Sequence, residues 1–416
     1  MNLLKKPDHI SALVFEKKLL KLVIAYIRGM INPNGYWKRG GPIVLKQVPF
    51  PSLISEDWII VKVIYCGICG SDIKEITLSG ALDNPLQTFL TFPQIMGHET
   101  VGIVYDVGSN VKKFKKGDRI AITPWFPCEP RGIKPICNRC KSGDFVHCKN
   151  FQRGNLPTGM HLGTTRGFGG YSSYIAVHES QCFLIPNNVT FEQAVLADPF
   201  SVAFHAILNL NPKKDSTILV YGLGVIGLLT IMCLKSLFEV KHILAIGKYE
   251  FQKEIALKYG ANYVFMKSDE QLIEDISDYL EIELYTPERG LKWSLDGVDG
   301  IIDTIASPKT IEIGIRILKS QKRLVFLGVS PPKRFENTPH YFKELEVIGS
   351  NAFGLEYYHE SKRHAFDFFL DFLSEKKIDV SSIVSHKFPL ERYADAFYTI
   401  INKKKTNAIK VVFTFS

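Results

Sequence analysis

Internal repeats and low-complexity tracts are both missing from this 416-residue sequence, which sets aside solenoids, propellers and disordered arrays. A secretory signal is missing too. The apolar run Leu22–Ile27 is bracketed by Lys17, Lys18, Lys21 and Arg28, and no small-residue cleavage site follows it. It falls far short of the roughly 20 residues that a bilayer requires, so it reads as a strand or an amphipathic helix of the folded body. The expected setting is the cytoplasm, with no membrane partner. Acidic residues are in the minority, 42 against 51 Lys and Arg, for a net charge of +9. The basic side chains are scattered and the longest run is Lys403–Lys405, which reads as solvated surface. Arg131, Lys134, Arg139, Lys141 and Lys149 do cluster, but a nucleic-acid reading built on them leaves every other motif unexplained. With 46% apolar and 22% charged residues, the composition is that of a globular protein of two or three domains.

Cysteine is sparse, at eight residues, but its placement is informative. Cys66 and Cys69 form one pair, and Cys128, Cys137, Cys140 and Cys148 form one group. In a cytoplasmic chain such clusters point to metal rather than disulfides. Four cysteines on one irregular segment read as a closed tetrahedral zinc site, which contributes folding energy and leaves no open position. Cys66-Gly-Ile-Cys69-Gly-Ser71-Asp72, followed by Gly97-His98-Glu99, has the residues for an open catalytic site of three protein ligands.

The pattern changes along the chain. Residues 43–65 and 100–123 read as short strands of a β-rich domain. Residues 124–170, dense in Pro, Gly and Cys, read as a long ordered loop. From about residue 200 strands and helices alternate, which argues a parallel, doubly wound sheet: strands at 217–221, 243–246, 263–265, 300–303 and 324–327, helices at 225–238 and 250–259. Residues 267–296 are polar and read as a surface insertion, and 359–373 as a helix. Within the second region, Gly222-Leu223-Gly224-Val225-Ile226-Gly227 directly follows a strand and opens a helix. That context gives a G-x-G-x-x-G its meaning: a tight turn, close backbone approach to a pyrophosphate, and helix-on-strand packing.

Taken in order, these motifs resemble the zinc-containing medium-chain dehydrogenases over residues 40–416. The resemblance implies a GroES-like β-rich catalytic domain, residues 1–200 completed by 351–416, and a Rossmann domain with a doubly wound parallel sheet, residues 201–350, with the active site between them. It also implies site residues. Cys69 and His98 match zinc ligands, Glu99 matches a glutamate that lies beside the metal and in some members binds it, and Asp198 stands where the family has its third ligand, so the third ligand is either Glu99 or Asp198. Ser71 matches the hydroxyl that bonds the substrate oxygen, and Asp72 orients the zinc shell. Cys66 packs in its strand. Two departures stand out. Lys74 occupies the position of a relay histidine, and Lys134 occupies that of the usual first structural cysteine, with Cys128 earlier in the chain.

The chemistry implied is hydride transfer between an alcohol (a sugar, polyol or amino alcohol) and a nicotinamide cofactor, with zinc as Lewis acid. Two zinc ions per chain are expected, in a homodimer or homotetramer. The slot after the second strand holds Gly247 instead of the acid that binds a ribose 2′-hydroxyl. With Lys248 and Tyr249 next to it, the expectation is NADP in preference to NAD. A cofactor-binding regulator without turnover and a zinc-free quinone reductase on the same fold are the rival readings.

Overall fold

The computed structural model describes residues 6–80, 83–267, 270–328, 330 and 333–415. The chain divides into two compact units. One comprises Met1–Asp198, Gly354–Ser374 and Ile383–Ser416; the other comprises Pro199–Phe353 and Glu375–Ser382.

The first unit is built on a mainly antiparallel sheet. Among the described residues its order is Val384–Pro389, Lys410–Thr414, Trp58–Gly67, Glu99–Val107, Arg119–Ile122 and Cys182–Leu184, with Tyr174–His178 also paired to Trp58–Gly67. The run Trp-Ile-Ile-Val at 58–61 is apolar on both pleat faces because all four side chains are buried. A smaller sheet sets His9–Phe15 between Ile43–Pro49 and Gln94–Ile95. Residues 9–31 are therefore structured, as a strand and then the helix Leu19–Ile31.

The second unit carries a parallel sheet in the order Tyr263–Phe265, His242–Ile246, Thr217–Tyr221, Val298–Asp303, Leu318–Phe326 and Glu346–Gly349. Successive strands are added first to one side and then to the other side of Thr217–Tyr221, the strand that feeds the glycine turn, so the strand order reverses there while all strands stay parallel. Such a switch point is where doubly wound sheets receive ligands. The helix Val225–Ser236 is buried around its whole circumference from Gly227 to Leu234, as expected for a central helix of this fold.

Two readings of the sequence need correction. Residues 267–296 are not merely a polar surface excursion. They contain the helix Gln271–Leu280, whose Leu272, Ile273 and Ile276 are buried in the core of the parallel-sheet unit. The apolar positions recur at helical spacing, but the dense charges between them mask the period. Similarly, the helix expected from residue 359 begins at Ala365. The residues before it form a hairpin, Leu355–Tyr358 with Ser361–His364. Leu355 N–H donates to the Gly143 carbonyl at 3.0 Å and Lys362 Nζ to the Ser142 carbonyl at 3.0 Å. These tertiary contacts hold a segment whose local sequence leans helical.

Candidate active site

Among the described residues, two groups have potential metal-ligating atoms all within 4.8 Å of one another: Cys69, His98 and Glu99, and Cys128, Cys137, Cys140 and Cys148. Both lie in the first unit.

The first group is assembled at the edge of the large sheet. Glu99 opens the strand Glu99–Val107, with His98 just before it. Cys69 stands at the start of the short helix Gly70–Ile76. Asp72 ties these pieces together. Its Oδ2 accepts the Cys69 backbone N–H at 2.9 Å and the Tyr171 hydroxyl at 2.7 Å. Its Oδ1 lies 3.4 Å from His98 Nδ1. With Nδ1 facing a carboxylate, the Nε2 lone pair of His98 is left to a metal, the arrangement that fixes tautomer and ring orientation at zinc sites. Burial opposes the charge on His98, but Asp72 and the Cys69 sulfur outweigh it and raise the imidazole well above its ordinary range. Burial likewise opposes ionisation of Asp72, yet His98, Tyr171 and the Cys69 N–H hold its carboxyl below the usual value.

Glu99 is equally enclosed. Its Oε2 pairs with Lys410 Nζ, and both side chains are 2% exposed. Lys410 also donates to the Ile68 carbonyl at 3.0 Å. Burial disfavours its cation, but Glu99 more than offsets this and raises its pKa. Asp198 lies outside the three-ligand cluster, although it is buried in the same unit. Burial first, then Glu99 and Asp72, push it up to about 7, while His98 and Lys410 act in the opposite sense. Ser71 and Lys74 share the helix Gly70–Ile76, and both are exposed. Cys66 is fully buried, with Sγ 3.4 Å from Thr100 Oγ1, and burial pushes its thiol up.

Sequence reasoning missed several neighbours. Tyr171 carries no local signal. Lys410 has a faint one, a lysine interrupting the apolar run of residues 408–413. Glu75, pushed up to about 8 chiefly by burial and then by Asp72, follows Lys74. His161 lies with its ring 5.3 Å from that of His98, and burial keeps it neutral, with a pKa of about 3.

The four cysteines meet a geometric test. Cys128 and Cys148 sulfurs are 3.6 Å apart, Cys137 and Cys140 3.6 Å, and Cys137 and Cys148 4.0 Å. Ligands at about 2.3 Å around a tetrahedral zinc stand about 3.8 Å apart, whereas a disulfide needs about 2.05 Å. Cys128, six residues ahead of Lys134, is fully part of the group. Backbone and amide donors support the sulfurs: the Cys137 N–H on Cys128 at 3.4 Å, Asn150 Nδ2 on Cys128 at 3.1 Å, and the Asn150 N–H on Cys148 at 3.4 Å. Beside them Arg131 is completely buried. It donates to the carbonyls of Phe126 (3.0 Å), Arg153 (3.0 Å), Leu156 (3.3 Å), Pro157 (3.1 Å) and Gly159.

Comparison with known proteins decides the family. The alcohol dehydrogenase GroES-like domain matches residues 55–187 and the zinc-binding dehydrogenase domain matches residues 225–371. The chain belongs to the zinc-containing medium-chain dehydrogenases. Curated relatives include the sorbitol dehydrogenase of Bacillus subtilis, 27% identical over 89% of this chain and 93% of that protein. The L-idonate 5-dehydrogenase of Vitis vinifera is 26% identical over 89% and 91%. Among solved structures, 2R,3R-butanediol dehydrogenase from Bacillus subtilis superposes with a TM-score of 0.73 at 23% identity, covering 98% of this chain and all of that one.

In this dehydrogenase the glycine turn lies in the second unit. Gly222 has φ +96°, the left-handed region that glycine supplies. A Cβ on Gly227 would strike the Gly222 carbonyl oxygen, so helix and turn pack too closely for any side chain there. A Cβ on Gly224 would meet nothing within 4 Å. That open space at the N-terminus of the helix Val225–Ser236 is a cradle in which a phosphate can approach the backbone. Leu223 is buried behind the turn, and Val225 and Ile226 begin the helix. Gly247 directly follows the strand His242–Ile246 and is held by its N–H on the Phe265 carbonyl at 2.9 Å. Lys248 is exposed, with Nζ 5.6 Å from the centre of the Tyr249 ring. Glu250 starts the next helix and pairs with Lys253 at 3.0 Å.

Proposed function

We propose that this dehydrogenase oxidises a secondary alcohol of a polyol or sugar-alcohol type, or reduces the corresponding ketone, with one catalytic and one structural zinc and with NADP in preference to NAD. The observation that carries the reading is the Cys69–His98–Glu99 cluster with Asp72 bracing His98. That donor set suits zinc, and its smallness leaves a coordination position for a substrate. The sorbitol and L-idonate dehydrogenases among the relatives favour the polyol class.

When bound, zinc supplies Lewis acidity to the substrate oxygen and the nicotinamide supplies the hydride acceptor. The remaining work falls to side chains. Cys69 and His98 hold the metal, and Asp72 keeps His98 in the tautomer that can do so. Glu99, neutralised by Lys410, is the nearest carboxylate, and Asp198 is a further acid beside it. The Ser71 hydroxyl accepts the alcohol proton and, being exposed, releases it outward. With Lys74 one turn further along, the cation stands where relatives carry a relay imidazole, so proton release goes through solvent at Ser71.

The NADP preference rests on Gly247 and Lys248. Without a carboxylate at 247, nothing repels a ribose 2′-phosphate, and the Lys248 ammonium offers it a charge-assisted contact of about 1.5–3 kcal/mol. A panel of polyols, diols and simple alcohols, assayed with both cofactors before and after dialysis against a zinc chelator, tests the whole reading. Expected are polyol turnover, loss on chelation, and restoration by zinc. Turnover undiminished by chelation would replace this reading with a zinc-free reductase. Cofactor binding without turnover of any alcohol would replace it with a regulatory role.

A further inference from the structure

The helix Leu19–Ile31 has two opposed faces. At about 100° per residue, Ala25 and Gly29 fall on one side, and both are buried. A Cβ on Gly29 would collide with the Tyr36 ring, so this side is seated tightly on the fold. The side directly opposite carries Leu19, Leu20, Val23, Ile27, Met30 and Ile31, all exposed and up to 83% accessible at Ile31. A contiguous apolar face of this size on a folded unit marks an interaction surface.

What surrounds the face is cationic. The helix contains no acidic residue, and Lys17 and Lys18 precede it, both exposed. At its C-terminal end an open cavity of about 560 Å³ is lined by Arg28, Ile31, Asn32, Gly35, Lys38 and Arg39. Three of those six residues carry cationic side chains, and Ile31 belongs to the apolar face itself. Arg28 is fixed there by Nη1 on the Arg39 carbonyl at 2.8 Å. The nearest carboxylate in sequence, Glu16, is engaged by Lys21 and Lys46.

We propose that this helix lies in the surface of an anionic phospholipid membrane. Its apolar face enters the acyl boundary, and the Arg28–Lys38–Arg39 cavity receives a lipid phosphate. An apolar stripe bordered by basic side chains and free of acids is the pattern of interfacial helices. Anionic leaflets attract such cations within a Debye length. A second copy of the chain fits less well, because neither helix offers a carboxylate to answer the other's cations. No helix among the described residues is long and apolar enough to cross a membrane, so the association is peripheral. It is independent of the proposed reaction.

The test is co-sedimentation of the full chain with vesicles of phosphatidylcholine alone or with about a third phosphatidylserine, at low and high salt. Binding is expected on the mixed vesicles and not on neutral ones, and it should weaken with salt. An Ile27→Glu/Met30→Glu variant should bind at least about tenfold more weakly, and so should Lys38→Glu/Arg39→Glu. All four positions are exposed, so circular dichroism and solution dehydrogenase activity should stay unchanged. Failure of the wild type to sediment with anionic vesicles overturns the proposal, as does equal binding by the variants. A wild-type dimer that ignores vesicles and dissociates on Ile27→Glu would assign the face to a second copy instead.

Discussion

Replacing Arg131 by Met removes the guanidinium on which the cysteine-bearing loop converges. All five carbonyl acceptors, from Phe126, Arg153, Leu156, Pro157 and Gly159, lose a buried donor at once. Hydrogen bonds to a charged group contribute at least about 1.5 kcal/mol each. Against them stands the cost of stripping water from the cation, which outweighs the pull of the Cys148 and Cys128 sulfurs and lowers the Arg131 pKa to about 10, a net cost of about 3 kcal/mol. The balance is about 4 kcal/mol in favour of the arginine, which methionine of similar length does not replace. For a unit of this size such a loss lowers the melting temperature by about 8–16 °C. Calorimetry of the zinc-loaded protein reads this directly, and a chromophoric chelator reads how quickly metal leaves the Cys128–Cys148 loop, which should be faster in the variant. Arg131→Lys should fall between, because an ammonium has three donors and lacks the planar fork. A shift below about 2 °C with unchanged zinc release would show that water satisfies these carbonyls as well as arginine does.

Elemental analysis of protein purified without added metal should find two zinc ions per chain, and Cys137→Ser should lose one and destabilise the fold; a wild-type value near one, unchanged in that variant, refutes the structural site. Cys69→Ser and His98→Ala should each lower turnover roughly a thousandfold while cofactor still binds, and retention of more than a few per cent activity with full zinc would reassign the ligands. Gly247→Asp should reverse the preference for NADP, about ten- to a hundredfold in specificity constant; a Cβ at 247 crowds the end of the Leu223 side chain at 2.7 Å, which must shift, and makes ordinary contact with Val264 Cγ1 at 3.5 Å. Equal use of both cofactors by the wild type would refute the loop reading. His364 is buried among Phe145, Phe183 and Phe366 and kept neutral by burial, with a pKa of about 3. Its folded value lies below the unfolded one near 6.5, so its contribution is present above pH 6.5 and lost as pH falls from there toward 3. At pH 5.5 the loss is about 1.4 kcal/mol. Melting curves of His364→Gln should therefore decline less than wild type between pH 7.5 and 5.5, and parallel declines would refute the assignment.

Local chemistry was the legible part. The glycine turn, the paired and grouped cysteines and Gly247 each depend on a few neighbouring residues, so their patterns survive in the sequence. What escaped depends on distant chain. Tyr171 reaches Asp72 across 99 residues, and no spacing rule links them. The Lys410–Glu99 pair joins two strands that flank Trp58–Gly67 on opposite sides. Gln271–Leu280 was obscured for another reason: its exposed face is so charged that the buried leucine and isoleucines disappear in the average. The His359 region failed because tertiary contacts with Gly143 and Ser142 override a helix-like composition.

The Lys410 contact also has a meaning in time. Cys69, His98 and Glu99 are made early, whereas Lys410 follows Ile68 by 342 residues. At about 5–20 residues per second, a ribosome needs roughly 17–70 seconds to cover that distance. During that interval the parallel-sheet unit can fold around its own core, but Glu99 does not yet have its Lys410 counter-charge. The strand Lys410–Thr414 then pairs between Val384–Pro389 and Trp58–Gly67 and delivers the ammonium to Glu99. The Cys69–His98–Glu99 cluster is therefore completed late, and a nascent chain that already carries all three residues does not yet have the charge balance that Lys410 brings.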